Sequence, residues 1–275
     1  VPKFWVDEDG TMGKSNDVTT VGVEHKMGLH AQATTMLNFG DNDECYGIML
    51  GPPPDEKGRS NGLSMMFHMM NESRIGTGHN ANCQAAAAAY FAGQYAVDRI
   101  QGRPFGIKGA DRVPIIKHED IRRMMLDMKA HVEGIRAMIF RGFYYLDLEG
   151  NSADRARAKK LAQFAEILTP IVKCYGSEAS LGVIAEAIQI LGGVGYTQEY
   201  PVEQYLRDSK ILTIWEGTSF IHANDLVGRK MRMKDGAVFA EWMAEIKAFI
   251  DENKNAEGLE KEMAKLEKAF ACAEE

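Results

Sequence analysis

The chain has 275 residues, of which 45% are hydrophobic and 26% are charged, a composition typical of a globular protein that buries one large core or two smaller ones. Its net charge of −7 argues against a general nucleic-acid surface. No apolar run approaches the roughly 20 residues that cross a bilayer, so we expect no membrane span.

The first part of the chain is predicted to form short β-strands. Strand-like residues occupy 3–6, 18–23 and 34–39, with Gly, Asn and Asp clusters between them. A proline run, 52–54, begins a loop or a domain boundary. The chain starts with Val1 in strand-like sequence rather than with Met, so we expect a fragment or a processed product.

From Leu63 onward the apolar period changes from two to about 3.6 residues, which predicts helices. Pro170 is expected to bend the third of them. The acidic tail, 239–275, predicts one or two more amphipathic helices. The predicted fold class is therefore mainly α with a β portion, part of an antiparallel β-domain followed by a helical bundle. The four main helices are predicted at 63–99, 118–148, 153–191 and from 218 or 219 to 231.

The most informative carboxylate is Glu216, which follows Trp215 and precedes Gly217 at the start of a predicted helix. One interpretation is a surface carboxylate that favours the positive end of the helix dipole. The other is a general base that removes a proton from a carbon next to a carbonyl group, because an aromatic neighbour in apolar surroundings suits that role. The Gly217 amide could then donate a hydrogen bond to the carbonyl oxygen and stabilise an enolate-like transition state.

The glycine cluster at 192–195 has three interpretations. A dinucleotide-binding loop needs a preceding strand, whereas the sequence before Gly192 has helical periodicity. A helix C-terminus is the second interpretation, since glycine adopts the left-handed conformation found there. The third is functional, because glycines at a helix end leave backbone amides open to a phosphate-bearing cofactor.

Two other kinds of site are not expected. The four cysteines are widely separated and form no Cys-x-x-Cys pair, which predicts reduced thiols in a cytosol-like compartment. The seven histidines show no paired metal-ligand spacing, so no metal is expected. The basic residues near 229–234 are interpreted as cations that stabilise a helix C-terminus.

Four motifs occur along the chain: Asn71-Glu72-Ser73-Arg74, Gln189-Ile190-Leu191-Gly192-Gly193, Arg207-Asp208-Ser209-Lys210 and Glu216-Gly217-Thr218-Ser219. In this order they resemble the acyl-CoA dehydrogenase family. The resemblance extends to about residue 235, and Glu24-His25-Lys26 indicates in particular the bacterial branch that includes 3-methylmercaptopropionyl-CoA dehydrogenase. It implies three segments: 1–58, the C-terminal part of a middle β-domain; 59–235, a C-terminal four-helix-bundle domain; and 236–275, the start of an extra helical segment.

The resemblance also implies the roles of individual residues. Glu216 would remove the α-proton of an acyl-CoA while a hydride leaves the β-carbon for FAD, and the Gly217 amide would polarise the thioester carbonyl. Thr218 would contact the flavin. Trp215 stands in place of the family's usual tyrosine and would narrow the acyl pocket. Arg99, Gln189, Gly192 and Gly193 would hold FAD from a neighbouring subunit, and Asn71 and Arg74 would contact the CoA chain or support the catalytic loop.

The function implied by the resemblance is flavin-dependent α,β-dehydrogenation of a short-chain, medium-chain or thioether acyl-CoA in fatty acid metabolism. A homodimer or homotetramer with an electron-transfer flavoprotein as partner is implied, in a bacterial cytoplasm or a mitochondrial matrix. Two alternatives stay open, an acyl-CoA oxidase that uses oxygen and a non-catalytic, DNA-associated relative. The family's N-terminal domain and flavin-cradling strands are absent from these residues, so the chain alone is expected to hold FAD poorly.

Overall fold

The structure is a computed structural model that describes residues 1–274, without the side chains of Ser64, Phe67, His68 and Glu274. Its β portion consists of two antiparallel strand pairs, β1 with β2 and β3 with β4. The three predicted strands are confirmed, but β2 was missed because Met-Gly-Lys-Ser carries no β-branched residue. The strands are β1 (Phe4–Val6), β2 (Met12–Ser15), β3 (Val18–Val23) and β4 (Thr35–Phe39).

A buried asparagine ties these strands to the segment that follows them. Asn16 is fully buried, and its Nδ2 donates to the carbonyl oxygens of Pro2, at 2.9 Å, and Tyr46, at 2.8 Å. Its Oδ1 accepts from the Tyr46 amide at 3.1 Å. Both the nitrogen and the oxygen of the side-chain amide are thus hydrogen-bonded to backbone groups, as a buried polar side chain requires.

Seven helices follow in the part of the chain that the structure describes, so the mainly α fold class with an antiparallel β portion is confirmed. α4 was missed because its nine residues are too few for a periodic pattern to stand out. α5 continues into a π-helical turn, Leu226–Lys230, and the acidic tail forms two helices. The helices are α1 (Gly62–Asp98), α2 (Glu119–Asn151), α3 (Arg155–Leu191), α4 (Val202–Lys210), α5 (Ser219–Asp225), α6 (Ala237–Asn253) and α7 (Glu260–Glu274).

The two ends of α3 show why it begins and stops where it does. The Asp154 side chain caps the first turn by accepting from the amides of Ala156 and Arg157, both at 3.0 Å. At the other end Gly192 adopts a left-handed φ of 67° directly after Leu191. The glycine cluster therefore ends a helix, and the dinucleotide-loop interpretation is excluded. α3 is one continuous helix through Pro170.

Close contacts show that α1 and α2 run in opposite directions. Ile75, near the start of α1, lies 3.2 Å from the position that a Cβ on Gly142, near the end of α2, would occupy. A Cβ on Gly93, near the end of α1, would lie 3.1 Å from Cε of Met125, near the start of α2.

α2 and α3 are also antiparallel, so α1 and α3 run in the same direction. Arg123, near the start of α2, pairs with Glu186, near the end of α3, at 3.8 Å. A Cβ on Gly176, earlier in α3, would lie 3.5 Å from Ile135, later in α2. The C-terminal ends of α1 and α3 therefore lie at the same end of the bundle.

Among the described residues, one helix is long and apolar enough to cross a membrane by length and composition alone. The helical stretch 155–196 contains an 18-residue window of mean hydropathy 1.3. The packing accounts for this apolarity, because Phe164, Ile167, Val172 and Ile184 are fully buried in cores that α3 shares with α1 and α2. An apolar central helix is what such a bundle requires.

Candidate functional site

Glu216 lies in a sharp turn between the short 3₁₀ turn Ile211–Thr213 and α5. Its φ is 56° and that of Gly217 is 105°, so both residues are left-handed. A Cβ on Gly217 would make a close contact of 3.0 Å with Nε2 of His222, and side chains rarely adopt the φ of Gly217, so glycine is favoured here. The half-buried Glu216 side chain accepts a hydrogen bond at Oε1 from the Ser73 hydroxyl of α1, at 3.0 Å. This carboxylate is therefore held against the bundle, unlike a freely solvated one.

Three buried donors hold the backbone of this turn from beneath. The Glu216 carbonyl oxygen accepts from Nε of Arg74, at 3.2 Å, and contacts Nε2 of His222, at 3.1 Å. The Gly217 carbonyl oxygen accepts from Nζ of Lys173. The donors come from α1, α5 and α3, and each is at most 5% exposed. The turn is consequently fixed to three helices at once.

Charged and titratable side chains lie buried beneath the turn. Arg74 pairs with Asp225 at 3.2 Å, with both side chains nearly inaccessible to solvent. Burial lowers the pKa of Lys173. Burial, together with the positive charges of Lys173 and Arg74, lowers the pKa of His222 to about 4. The imidazole of His222 is thus neutral at pH 7, and because a carbonyl oxygen only accepts, Nε2 carries its proton.

The structure gathers some of the predicted site residues at this turn. Glu216, Gly217 and Arg74 are linked directly, as described, and the exposed Thr218 precedes α5 as its N-cap residue. The half-buried Asn71 lies about one turn before Arg74 on α1.

The other predicted cofactor residues lie elsewhere. Arg99 follows Arg74 by 25 residues along α1, which corresponds to about 37 Å at 1.5 Å per residue. Gln189, Gly192 and Gly193 are at the end of α3, the same end of the bundle as Arg99. All four are exposed. A Cβ on Gly192 or Gly193 would meet nothing within 4 Å, so their backbone is open to an approaching group.

Trp215 borders a cavity of about 490 Å³ next to the turn. Ile211, Ile214 and Met27 contribute apolar surface to it. Four further lining residues are basic, His25, Lys26, Arg207 and Lys210, and one is acidic, Glu24. The cavity is thus an apolar space with a mainly basic margin, suited to an apolar group attached to an anionic carrier.

The far wall of this cavity is a loop that the β portion contributes. The Leu29 amide donates to Oδ1 of Asp208 at 2.6 Å, and Nη1 of Arg207 donates to the Met27 carbonyl oxygen at 3.2 Å. A Cβ on Gly28 would lie 2.5 Å from Oδ1 of Asp208 and 2.7 Å from the backbone of Arg207. Gly28 therefore allows the loop to approach the end of α4.

Sequence reasoning missed Ser73, Lys173 and His222 as parts of the site. Lys173 offered the clearest signal, because it is a single cation within the most apolar stretch of α3. The basic residues near 229–234 were also interpreted too simply. Lys230 is buried and pairs with Glu166 at 2.7 Å, a specific ion pair between the π-helical turn and α3. Among the residues that the structure describes, no cluster of three or more His, Cys, Asp or Glu could hold a metal ion.

Comparison with known proteins gives a consistent result. A family model described as "Acyl-CoA dehydrogenase, C-terminal domain" matches residues 60–231. Butyryl-CoA dehydrogenase of Syntrophomonas wolfei subsp. wolfei is 45% identical over 272 residues, which cover 99% of this chain and 44% of that protein. 3-Methylmercaptopropionyl-CoA dehydrogenase of Ruegeria pomeroyi is 39% identical over 246 residues, covering 90% and 40% respectively.

A solved structure agrees with these relatives. The butyryl-CoA dehydrogenase from Megasphaera elsdenii superposes with a TM-score of 0.60 at 28% sequence identity, covering 78% of this chain and 49% of that chain. The chain thus spans less than half the length of the proteins that it matches.

Proposed function

The chain belongs to the acyl-CoA dehydrogenase family, and on that premise we propose that it supplies the base for flavin-dependent α,β-dehydrogenation of an acyl-CoA thioester. The proposed activity is that of the whole protein, because this chain covers 44% and 40% of two relatives. One observation carries the proposal. The carboxylate of Glu216 and the N–H of Gly217, which has no acceptor among the described residues, are adjacent on a left-handed turn that buried donors hold in place.

The chemistry follows from what each group can do. The Glu216 carboxylate takes the proton from the α-carbon, and the Ser73 hydroxyl orients it by binding Oε1, which leaves Oε2 to accept the proton. Negative charge then develops on the thioester oxygen, where the Gly217 N–H donates a hydrogen bond. FAD, when bound, accepts the hydride that leaves the β-carbon.

The residues present fit FAD when two copies of the chain contribute. Thr218 lies at the turn, whereas Arg99, Gln189, Gly192 and Gly193 lie at the other end of the bundle. We assign Thr218 to one FAD and the distant set to the FAD of a neighbouring subunit, because no single compact site in one chain includes both. The open backbone at Gly192 and Gly193 suits close approach of a phosphate group. This assignment requires a homodimer or homotetramer.

The relatives and the cavity guide the remaining proposals. We assign a short-chain or thioether acyl group for two reasons. Two relatives are named as dehydrogenases of butyryl-CoA and of 3-methylmercaptopropionyl-CoA, and Trp215 borders a cavity of limited volume. An electron-transfer flavoprotein is the proposed electron acceptor, and a bacterial cytoplasm is the proposed location. Oxygen uptake with an acyl-CoA substrate and without that acceptor would favour an oxidase instead.

The test is Glu216→Gln in the intact protein, with Glu72→Gln, an exposed glutamate on α1, as the matched control. Gln still accepts the Ser73 hydrogen bond but cannot take a proton, so we expect turnover to fall by at least about a thousandfold. Flavin content should stay at the wild-type level, and exchange of the substrate's α-proton with D₂O, followed by NMR, should stop. Turnover near wild type in Glu216→Gln contradicts the assignment.

A further inference from the structure

Lys173 is a buried cation that has no carboxylate at ion-pairing distance in the described part of the chain. By contrast, Arg74 pairs with Asp225 at 3.2 Å, and Lys230 of the π-helical turn pairs with a glutamate of α3 at 2.7 Å. Lys173 is 0% exposed, and it donates to the carbonyl oxygen of Gly217, a neutral group. Because a buried charge normally has an opposite charge beside it, the missing partner of Lys173 requires an explanation.

The buried groups on α1 and α5 cannot supply that opposite charge. Arg74 and Asp225 form an ion pair that is neutral as a whole. His222 is uncharged at pH 7, because burial, together with the positive charges of Lys173 and Arg74, lowers its pKa to about 4. Neither the ion pair nor the imidazole therefore balances the charge of Lys173.

Among the remaining acidic groups around Lys173, Glu216 is the best counter-charge. Burial is the main cause that lowers the pKa of Lys173, whereas Cys174, Glu178 and Glu216 act in the opposite direction. Cys174 is a free thiol rather than a carboxylate, and Glu178 is exposed, so water screens its charge. Glu216 is half-buried and immediately precedes Gly217, whose carbonyl group Lys173 binds. Lys173 and Glu216 are thus left as each other's counter-charges.

We propose that Lys173 is a positioning residue whose positive charge keeps the Glu216 carboxylate ionised when an acyl chain covers the turn. This inference rests on the proposed function, because only an ionised carboxylate can take the α-proton. An apolar substrate that excludes water favours the neutral form of a carboxyl group. The same exclusion of water strengthens the attraction between a carboxylate and a buried ammonium group, and this attraction opposes the first effect.

A purely structural role, in which Lys173 only holds the Gly217 carbonyl group, is the competing explanation. Lys173→Met removes both the charge and the donor, whereas Lys173→Gln removes the charge and keeps an N–H donor. Lys173→Arg keeps both. Methionine suits the apolar surroundings, so Lys173→Met serves if the Gln variant does not accumulate as a flavoprotein. Lys159→Met, the same change at an exposed lysine of α3, is the matched control.

The experiment follows the ionisation of Glu216 in two ways, both in the intact, FAD-loaded protein. In the first, the rate of α-proton abstraction from butyryl-CoA is measured over a range of pH values by rapid mixing, with bleaching of the flavin as the signal. In the second, infrared difference spectra of the complex with a 2-enoyl-CoA are titrated with pH. The band of the protonated Glu216 carboxyl group is assigned by its absence in Glu216→Gln.

We expect Lys173→Gln and Lys173→Met to raise the pH of half-maximal proton abstraction by about one pH unit, because an opposite charge a few ångströms away has an effect of this size on a carboxyl group. The midpoint of the infrared titration should rise equally. Below the wild-type midpoint the two variants should therefore react about tenfold more slowly, and at high pH they should approach the wild-type rate. Lys173→Arg and Lys159→Met should keep the wild-type midpoint.

Three results overturn the inference. Wild-type midpoints in both Lys173→Gln and Lys173→Met show that no charge on Lys173 acts on Glu216. A shift in Lys173→Met alone assigns the effect to the hydrogen bond with Gly217. An equal loss of rate at every pH in all three variants of Lys173, in step with a lower melting temperature, shows a structural role.

Failure of the proposed function gives a different result. In that case Glu216→Gln would still remove the α-proton, so the pH dependence of the rate would no longer report on Glu216. The infrared titration does not depend on turnover, and it would still show whether Lys173 controls the ionisation of this carboxyl group.

Discussion

Burial gives His222 a chemistry unlike that of an exposed histidine. Its pKa falls from the ordinary 6.5 to about 4, chiefly through burial and then through the positive charges of Lys173 and Arg74. In the unfolded chain the same ring binds a proton near pH 6.5. Between pH 6.5 and 4 the unfolded state therefore holds more protons than the folded state, and stability falls as the pH falls.

This linkage predicts a pH dependence that His222→Gln reduces. Going from pH 7 to pH 4, the histidine should lower the free energy of unfolding by about 3 kcal/mol in the wild type. Gln does not titrate, so the free energy of unfolding of the variant should fall by about 3 kcal/mol less than that of the wild type over the same pH range. Urea unfolding at several pH values measures the difference. Replacement of the exposed His25 by Gln is the control and should leave the wild-type pH dependence intact.

The residues of the turn differ in how well sequence reveals them. Glu216 and Gly217 lie within one short motif, so local sequence is enough to nominate them. Ser73 lies 143 positions from Glu216 and Lys173 lies 44 from Gly217, and only the folded bundle brings them together. A histidine on a short helix with no metal partner gives no local sign of its contact with a backbone carbonyl.

At the scale of elements, the loop around Gly28 and the end of α4 depend on each other. The Leu29 amide and the Met27 carbonyl bind Asp208 and Arg207, and Gly28 fits against the same two residues. This joint carries one wall of the cavity beside Trp215. A side chain at position 28 would force the loop away from α4.

We therefore predict that Gly28→Ala loosens this loop. A Cβ at 2.5–2.7 Å from Asp208 and Arg207 displaces the loop or breaks the Leu29 hydrogen bond, at a cost of about 1–3 kcal/mol. Amide hydrogen exchange at Leu29 should accelerate in the intact protein. Gly22→Ala, where the added Cβ meets nothing within 4 Å, is the matched control. Unchanged Leu29 protection in Gly28→Ala would show that the loop adapts without loss.

The long elements were predictable and the short ones were not. α1, α2 and α3 span several turns each, so their 3.6-residue period is visible, and their predicted ends lie within three residues of those observed. β2 and α4 are four and nine residues long and owe their conformation to neighbours, β1 for the strand and α1 and α3 for the helix. The segment boundaries at 58 and 235 stay predictions.

At the scale of the whole molecule, the parallel course of α1 and α3 separates the proposed base from the distant cofactor residues. A substitution at Gly193 is the most direct test of that separation. A Cβ added at Gly193 would meet nothing within 4 Å, whereas a Cβ on Gly195 would lie 2.8 Å from the Ile188 carbonyl oxygen. A substitution at Gly193 thus tests contact with something outside the chain itself.

We predict that Gly193→Val lowers flavin content while leaving the fold intact. The Cβ of the valine meets nothing in the chain within 4 Å, but the side chain blocks close approach of the FAD phosphates, so the ratio of flavin to protein should fall severalfold. The melting temperature of the flavin-free protein should match that of the flavin-free wild type. Gly182→Val, at an open and exposed glycine within α3, is the control for the effect of the substitution itself on the backbone. Wild-type flavin content in Gly193→Val contradicts the assignment of this end of the bundle to FAD.

The left-handed backbone conformation of Glu216 lowers the stability of the fold at the residue that the proposed activity requires. A non-glycine residue at a φ of 56° costs about 1–2 kcal/mol, and asparagine tolerates that conformation better than glutamate does. Directed evolution that rewards heat resistance alone would therefore tend to remove the proposed base and enrich asparagine or glycine at this position. A library built on this scaffold needs position 216 held constant, or every round scored for turnover as well as for survival.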